Sequence, residues 1–236
     1  MTISKNIATG LMGVIVAAAL STVAHAAPIV TPVGLNPGDT YRLAFVTSTT
    51  TVATSNDVNY YNNFVDTLGF AATGISGWTA IVSTANDSGT GIIARDNTNT
   101  DFNTDIGTAI YLLDGTTNIA DNNLDLWDGT LDNALNIDET GVSIASGFAW
   151  TGTRADGGTQ FGLGSVTGIS TGGFLQFTSP AWNSAELRPN TQAYRLYAIS
   201  GTLIFTGADP IHEPGMLLIF ALGIAGLGYA TRKRAA

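Results

Sequence analysis

Between Ala27 and Ile211 the chain contains no cysteine, no lysine and no histidine. Such a stretch cannot be closed by disulfides, and it lacks the thiols and imidazoles of a structural zinc site, so it can hold a fold only by burying apolar side chains. It is long enough to do so, since roughly 185 residues make one domain of ordinary size. Much of the remainder is Thr, Asn, Gly and Asp, which favour strands, turns and long polar loops over helix. The cations of this region are Arg42, Arg95, Arg154, Arg188 and Arg195, and the whole chain has a formal net charge of -9.

These absences exclude several mechanisms. Ser-His-Asp and Cys-His catalysis need an imidazole to take the nucleophile's proton, and a Schiff base needs a lysine amine. Nucleic acid is excluded as a partner because phosphate binding needs basic surface. No Gly-rich stretch precedes a lysine, so no phosphate loop is expected. Carboxylate chemistry remains: a two-acid glycosidase or a metal held by oxygen atoms.

The two ends differ from the middle. Met1 to Ala26 has Lys5, an apolar stretch from Leu11 to Leu20 and the small-x-small sequence Ala24-His25-Ala26. This is the pattern of a secretory signal peptide, which divides the chain into residues 1–26, a secreted domain 27–209 and a tail 210–236. In the tail, Met216 to Ala230 is apolar, Gly or Tyr throughout and is followed by Arg232, Lys233 and Arg234. The pattern is a membrane helix with its basic end in the cytoplasm. At about 1.5 Å per residue the run covers roughly 22 Å, less than the roughly 30 Å of bilayer hydrocarbon, which suits a signal that is read and removed better than a permanent anchor.

The order His212-Glu213-Pro214, short apolar helix, basic cluster resembles the PEP-CTERM sorting signal of Gram-negative bacteria, with His212 where that family has its first Pro. The resemblance implies recognition by an exosortase-type, membrane-embedded enzyme, cleavage near the motif, contact with the membrane through the tail before processing, and a place in the cell envelope, on the outer surface or in the exopolysaccharide matrix. An ordinary single-pass anchor is the alternative.

Within the domain, Val33 to Asp39 reads as a turn and Tyr41 to Thr47 as a strand. Tyr60, Tyr61, Phe64, Val65 and Leu68 recur at helical spacing, with Ser55 or Asn56 as cap and Gly69 as stop. Trp78 to Ser83 reads as a strand, Ala85 to Thr108 as a long polar loop, and Ala109 to Leu113 as a strand ending at Asp114-Gly115. A short helix is expected between Asn118 and Leu131, and a strand over Phe148 to Gly152. A Gly-rich stretch follows to Gly173, with a strand over Phe174 to Phe177 and a loop from Trp182 to Pro189. Finally, Ala193 to Ser200 and Thr202 to Phe205 are expected to pair across, or bulge at, Gly201.

This succession resembles the C-type lectin-like fold in its endostatin-like branch, on the pieces Arg42 to Val46, Asp57 to Gly69, Trp78 to Thr84, Ala109 to Gly115, Trp127 to Gly129 and Trp150 to Gly157. It implies an α+β domain with a mixed sheet, two helices and long polar loops, without disulfides, and with Trp150 buried against the Ala109 to Leu113 strand. An all-β sandwich is the alternative. In that superfamily a sugar is held through calcium by a Glu-Pro-Asn type triplet and a Trp-Asn-Asp triplet. Trp182-Asn183 is a fragment of the second and Arg188-Pro189-Asn190 a stand-in for the first, so Trp182, Asn183 and Asn190 are the candidate ligand-binding residues.

Asp121-x-Asn123-x-Asp125 has the spacing of the first half of an EF-hand loop. Leu126 stands where that loop needs Gly and Asp132 where it has a bidentate Glu, so the expectation is a solvated helix face rather than a metal loop. The combined expectation is an exported, non-enzymatic, acidic protein, structural or weakly polysaccharide-binding, with no cofactor unless calcium. The rivals are a carboxylate glycosidase and a calcium lectin.

Overall fold

In the computed structural model, which describes residues 31–87, 89 and 91–207, one seven-residue strand is paired along both of its edges. This is β9, Ala193–Ile199. On one edge it meets β1 (Thr40–Val46) through Ala44, Phe45 and Val46, and then β2 (Thr51–Val52), both antiparallel. On the other it meets β6 (Phe148–Trp150) in parallel and β3 (Thr79–Ala80) antiparallel. The run Leu196-Tyr197-Ala198-Ile199 is fully buried, as an apolar strand flanked on both edges and covered on both faces should be.

The sheet extends outward from β9. Beyond β1 lie β4 (Ile110–Leu112), parallel to it, and β5 (Asn118–Ala120). Beyond β6 lie β7 (Ile169–Phe174) and β8 (Glu186–Pro189), giving the order β5-β4-β1-β9-β6-β7-β8. A last strand, β10 (Leu203–Ile204), pairs with the start of β1. Among the described residues there are three α-helices, α1 (Val58–Thr73), α2 (Ala94–Asn97) and α3 (Asn123–Leu126), so the architecture is α+β with an open, mixed sheet.

Alternation along the central strands sorts the core into two layers. Phe45 faces α1 and meets Trp78 edge-on, at 4.8 Å between ring centroids. The helix starts at Asp57, whose carboxylate accepts the Asn59 amide, and ends at Gly74 in the left-handed conformation. Gly69 lies inside it, where the Trp78 ring comes so near that a Cβ would sit 2.6 Å from the indole. Tyr197, on the opposite face of β9, stacks on Trp182, which in turn meets Trp127. The Tyr197 hydroxyl donates to the Trp182 carbonyl at 3.1 Å, and burial pushes its pKa well up.

Several sequence expectations change here. The end of the Gly-rich stretch is strand β7, with the backbone of the 3-10 turn Pro180–Trp182 lying directly on it, and the strand expected over Phe174 to Phe177 ends at Phe174. A Cβ at Gly173 would overlap the Trp182 carbonyl, so glycine is required by the packing although it lowers strand propensity. Glu186–Pro189 is strand β8 rather than loop. The expected helix over 118–131 is strand β5 followed by the single turn α3, because Asp114 turns the chain back by accepting the amides of Thr116 and Thr117. The closing segment pairs with β1 instead of folding back on β9, and α1 runs past Gly69 to Thr73. Trp150 is buried as expected, but beside Phe148 and Tyr194, with β1 and β9 between it and β4.

The long polar segment 85–108 is pinned to the core. It contains α2, whose Ala94 amide donates to Ser83 Oγ. Buried Arg42 on β1 donates to the carbonyls of Thr98 and Asn99, at 2.8 and 3.4 Å. Burial lowers the Arg42 pKa to about 10, with Asp105 opposing the shift. Trp127 Nε1 closes the segment from the other side by donating to Thr100 Oγ1.

The Gly173 contact is testable by urea unfolding. Gly173→Ala should lose about 2–3 kcal/mol, because the clash is with backbone that cannot rotate away. Gly201→Ala, where a Cβ meets nothing within 4 Å, should be neutral within about 0.5 kcal/mol.

Candidate functional site

Trp182, Asn183 and Asn190 are all turned into the protein. Trp182 and Asn183 are fully buried and Asn190 nearly so. Asn183 Nδ2 donates to the Arg154 carbonyl at 3.1 Å, and its backbone carbonyl accepts Thr151 Oγ1 at 2.5 Å. Asn190 Nδ2 donates to the Ser165 carbonyl at 3.2 Å. These side chains hold the base of β8 and the 3-10 turn against β6 and β7. The sorting-motif residues His212, Glu213 and Pro214 and the basic residues Arg232, Lys233 and Arg234 lie outside the described residues.

Most of the described carboxylates are engaged with nearby backbone. Asp101 accepts the Asn103 amide, Asp128 the Thr130 amide, Asp156 the Gly158 amide, and Asp138 those of Thr140 and Val142. Others bridge farther: Asp66 takes Gly77 and Trp78, Asp87 takes Val166, and Glu139 takes Ser48 at the end of β1. Short acidic side chains mimic a backbone turn in this way, which explains why a loop-rich domain without disulfides carries so many of them. At Asp114, burial alone would raise the pKa, but hydrogen bonds from the Thr117 hydroxyl and from the amides of Thr117 and Thr116 outweigh it and leave the pKa lowered. A carboxylate lowered in this way contributes stability that is present above its unfolded pKa, about 3.9, and lost as pH falls through the folded value.

One group of acids also meets itself, although Asp125 accepts the Asp121 amide and Asp121 accepts Asn118 Nδ2, each at 2.7 Å. Asp121, Asp125 and Asp132 each place a carboxylate oxygen within 4.8 Å of the others. Asp121 and Asp125 border an open depression with Asn122, Leu124 and Asp128 at the start of α3. The Asp132 pKa is raised, first by desolvation and then by the charges of Asp125, Asp121 and Asp128. The spacing of the EF-hand comparison therefore brings its first, fifth and twelfth positions together. The third does not join them: Asn123 is buried, donates from Nδ2 to the Asp105 carbonyl at 2.9 Å, and packs on Gly107. Asp132 is legible in the sequence only as a loop position, because its approach depends on its amide donating to the Ile119 carbonyl of β5.

Comparison with protein-family models and with curated proteins finds no match. Among the described residues no helix is long and apolar enough to cross a membrane.

Three like charges this close should oppose folding at neutral pH. Because the Asp132 pKa is raised, its contribution is most favourable below the unfolded pKa and is lost as pH rises through the folded value. Asp132→Asn is therefore expected to raise Tm by about 1 °C at pH 7 and low ionic strength, and the gain should fade in ~0.5 M salt.

Proposed function

We propose that this is an exported, non-enzymatic protein of the cell envelope or extracellular matrix of a Gram-negative bacterium, routed by an exosortase-type system. Its domain is of the C-type lectin-like, endostatin-like kind and serves as a structural or weakly polysaccharide-binding module. The observation that carries this reading is the use made of the acids. Carboxylates available for glycosidase chemistry are instead bound to the amides of their own loops, as at Asp101, Asp114 and Asp138, which is how a scaffold uses them. The fold assignment draws on the mixed sheet, the long helix after the opening strands, and first and last strands that pair. Export and sorting draw on Met1 to Ala26 and on the tail from His212. Mass analysis of the surface-located protein is expected to find a chain beginning near Ala27 and ending between Glu213 and Gly215. An intact Arg232-Lys233-Arg234 cluster on that protein would refute the sorting reading.

A second reading, calcium-dependent binding, is favoured by the mutual approach of Asp121, Asp125 and Asp132. Carboxylate oxygens are the ligands a hard cation prefers, and a cation would relieve their repulsion. On this reading millimolar calcium raises the Tm of the full chain, and Asp132→Asn removes most of that rise. Equal Tm with calcium and with a chelator excludes it.

A further inference from the structure

The face of β6, β7 and β8 turned away from Trp182 carries an aromatic layer. Phe148 and Phe174 are cross-strand partners with ring centroids 5.4 Å apart. Phe148 meets Tyr194 at 4.8 Å, Trp150 meets Tyr194 at 5.0 Å, and Phe174 meets Phe177 at 5.7 Å. Gly172 makes the room, since a Cβ there would overlap the Phe148 ring. At the outer end of this layer Phe177 is 42% exposed, a large apolar ring left in solvent.

A chain of polar groups lies across the same layer. The Arg188 guanidinium stands over the Phe148 ring at 4.4 Å and near that of Tyr194 at 5.4 Å. Its Nε and Nη2 both donate to Glu186 Oε2, at 3.1 and 2.7 Å, and its Nη1 donates to the Tyr194 hydroxyl at 2.8 Å. That hydroxyl donates in turn to Gln192 Oε1 at 2.6 Å. Four side chains from β8, β9 and the turn between them are thus held in one arrangement, although Glu186 and Gln192 are exposed. The network is more than a surface ion pair, because its position over the Phe148 ring and two further hydrogen bonds, Nε to Glu186 and Nη1 to Tyr194, fix the guanidinium. After these bonds Glu186 Oε1 remains as an acceptor, and the Gln192 amide N–H and the second N–H of Arg188 Nη1 and Nη2 remain as donors.

We infer that this face is a calcium-independent binding site for a neutral polysaccharide, with Phe177 at one end of the aromatic layer taking the apolar face of one sugar residue and Glu186, Arg188 and Gln192, beside Phe148 and Tyr194, taking the hydroxyls of another along the polymer. The proposal deepens the polysaccharide-binding part of the function above and rests on it. Each sugar hydroxyl both donates and accepts, so adjacent hydroxyls need an acceptor beside a donor, and a carboxylate oxygen next to guanidinium and amide N–H groups supplies that pair. Charge selects among polymers. Arg188 is already answered by Glu186 within a chain of net charge -9, so a polyanion gains no free cation here and meets a repulsive surface. Holding the groups in place beforehand lowers the entropy lost on binding.

Affinity electrophoresis of the full chain through gels containing dextran, mannan or a neutral galactan, with alginate as the anionic polymer, tests this. Retardation by at least one neutral polymer and not by alginate is expected, unchanged by a chelator. Phe177→Ala and Glu186→Gln, each checked for an unaltered Tm, should weaken it by about threefold to tenfold. Retardation equal in wild type and both variants overturns the site while leaving polysaccharide binding by the domain intact. Absence of retardation in every neutral gel overturns both, and leaves export and processing to the chain-end masses. Loss of retardation in chelator assigns binding to a cation site instead. Self-association of the full chain that Phe177→Ala abolishes, without retardation, makes the face an interface between copies and also overturns the proposal.

Discussion

Strand β9 can occupy the centre of the sheet only because its partners arrive from distant parts of the chain: β1 and β2 on one edge, β3 and β6 on the other. None of these contacts is local. The backbone groups of Leu196 to Ile199 are buried among apolar side chains, where an unpaired amide or carbonyl costs about 1–3 kcal/mol, so β1, β3 and β6 must be in place together, while β2 extends the pairing to Ala193 and Tyr194. The short strand β3 exists for this reason. A two-residue strand has little propensity of its own and persists here because it completes the pairing of β9.

With its core secured in this way, the domain spends its acidic residues on its edges. Turn after turn is closed by an Asp that accepts amides two to four residues on, and Glu139 does the same for the end of β1 across a long sequence gap. Arg42 performs the complementary task from inside, donating to carbonyls of the segment that joins α2 to β4. Local hydrogen bonds of this kind stand in for disulfides. Asp121, Asp125 and Asp132 differ in also facing one another.

The two faces of the β6–β8 half of the sheet serve different ends. On one, Gly173 lets the 3-10 turn lie flat and bury Trp182 against Tyr197 and Trp127. On the other, Gly172 admits the Phe148 ring, and the aromatic layer is closed by a polar network in place of a helix. Adjacent glycines in one strand thus open opposite faces, and the indole of Trp182, which a motif comparison would place at a ligand, belongs to the closed one.

What the sequence determined by itself was whatever depends on local chemistry or on composition. The long amphipathic helix, the apolar strands around Phe45 and Tyr197, and the exclusion of imidazole, thiol and lysine chemistry all follow from residue types and their spacing, although the cap is Asp57 and not Ser55 or Asn56. Tertiary structure decided the rest. Gly172 and Gly173 read as coil because glycine has low strand propensity, yet the close approach of Phe148 and of the Trp182 backbone makes them strand. Asn118 to Ala120 read as helix because the apolar pattern downstream has that period, yet Asp114 turns them onto β4. Trp182 and Asn183 read as ligand residues by motif, and burial made them part of the core. Within the Glu186–Arg188–Gln192–Tyr194 network, the contacts two residues apart are local, but the Arg188–Tyr194 bond that joins them forms where β8 and β9 have each paired with different neighbours in the sheet.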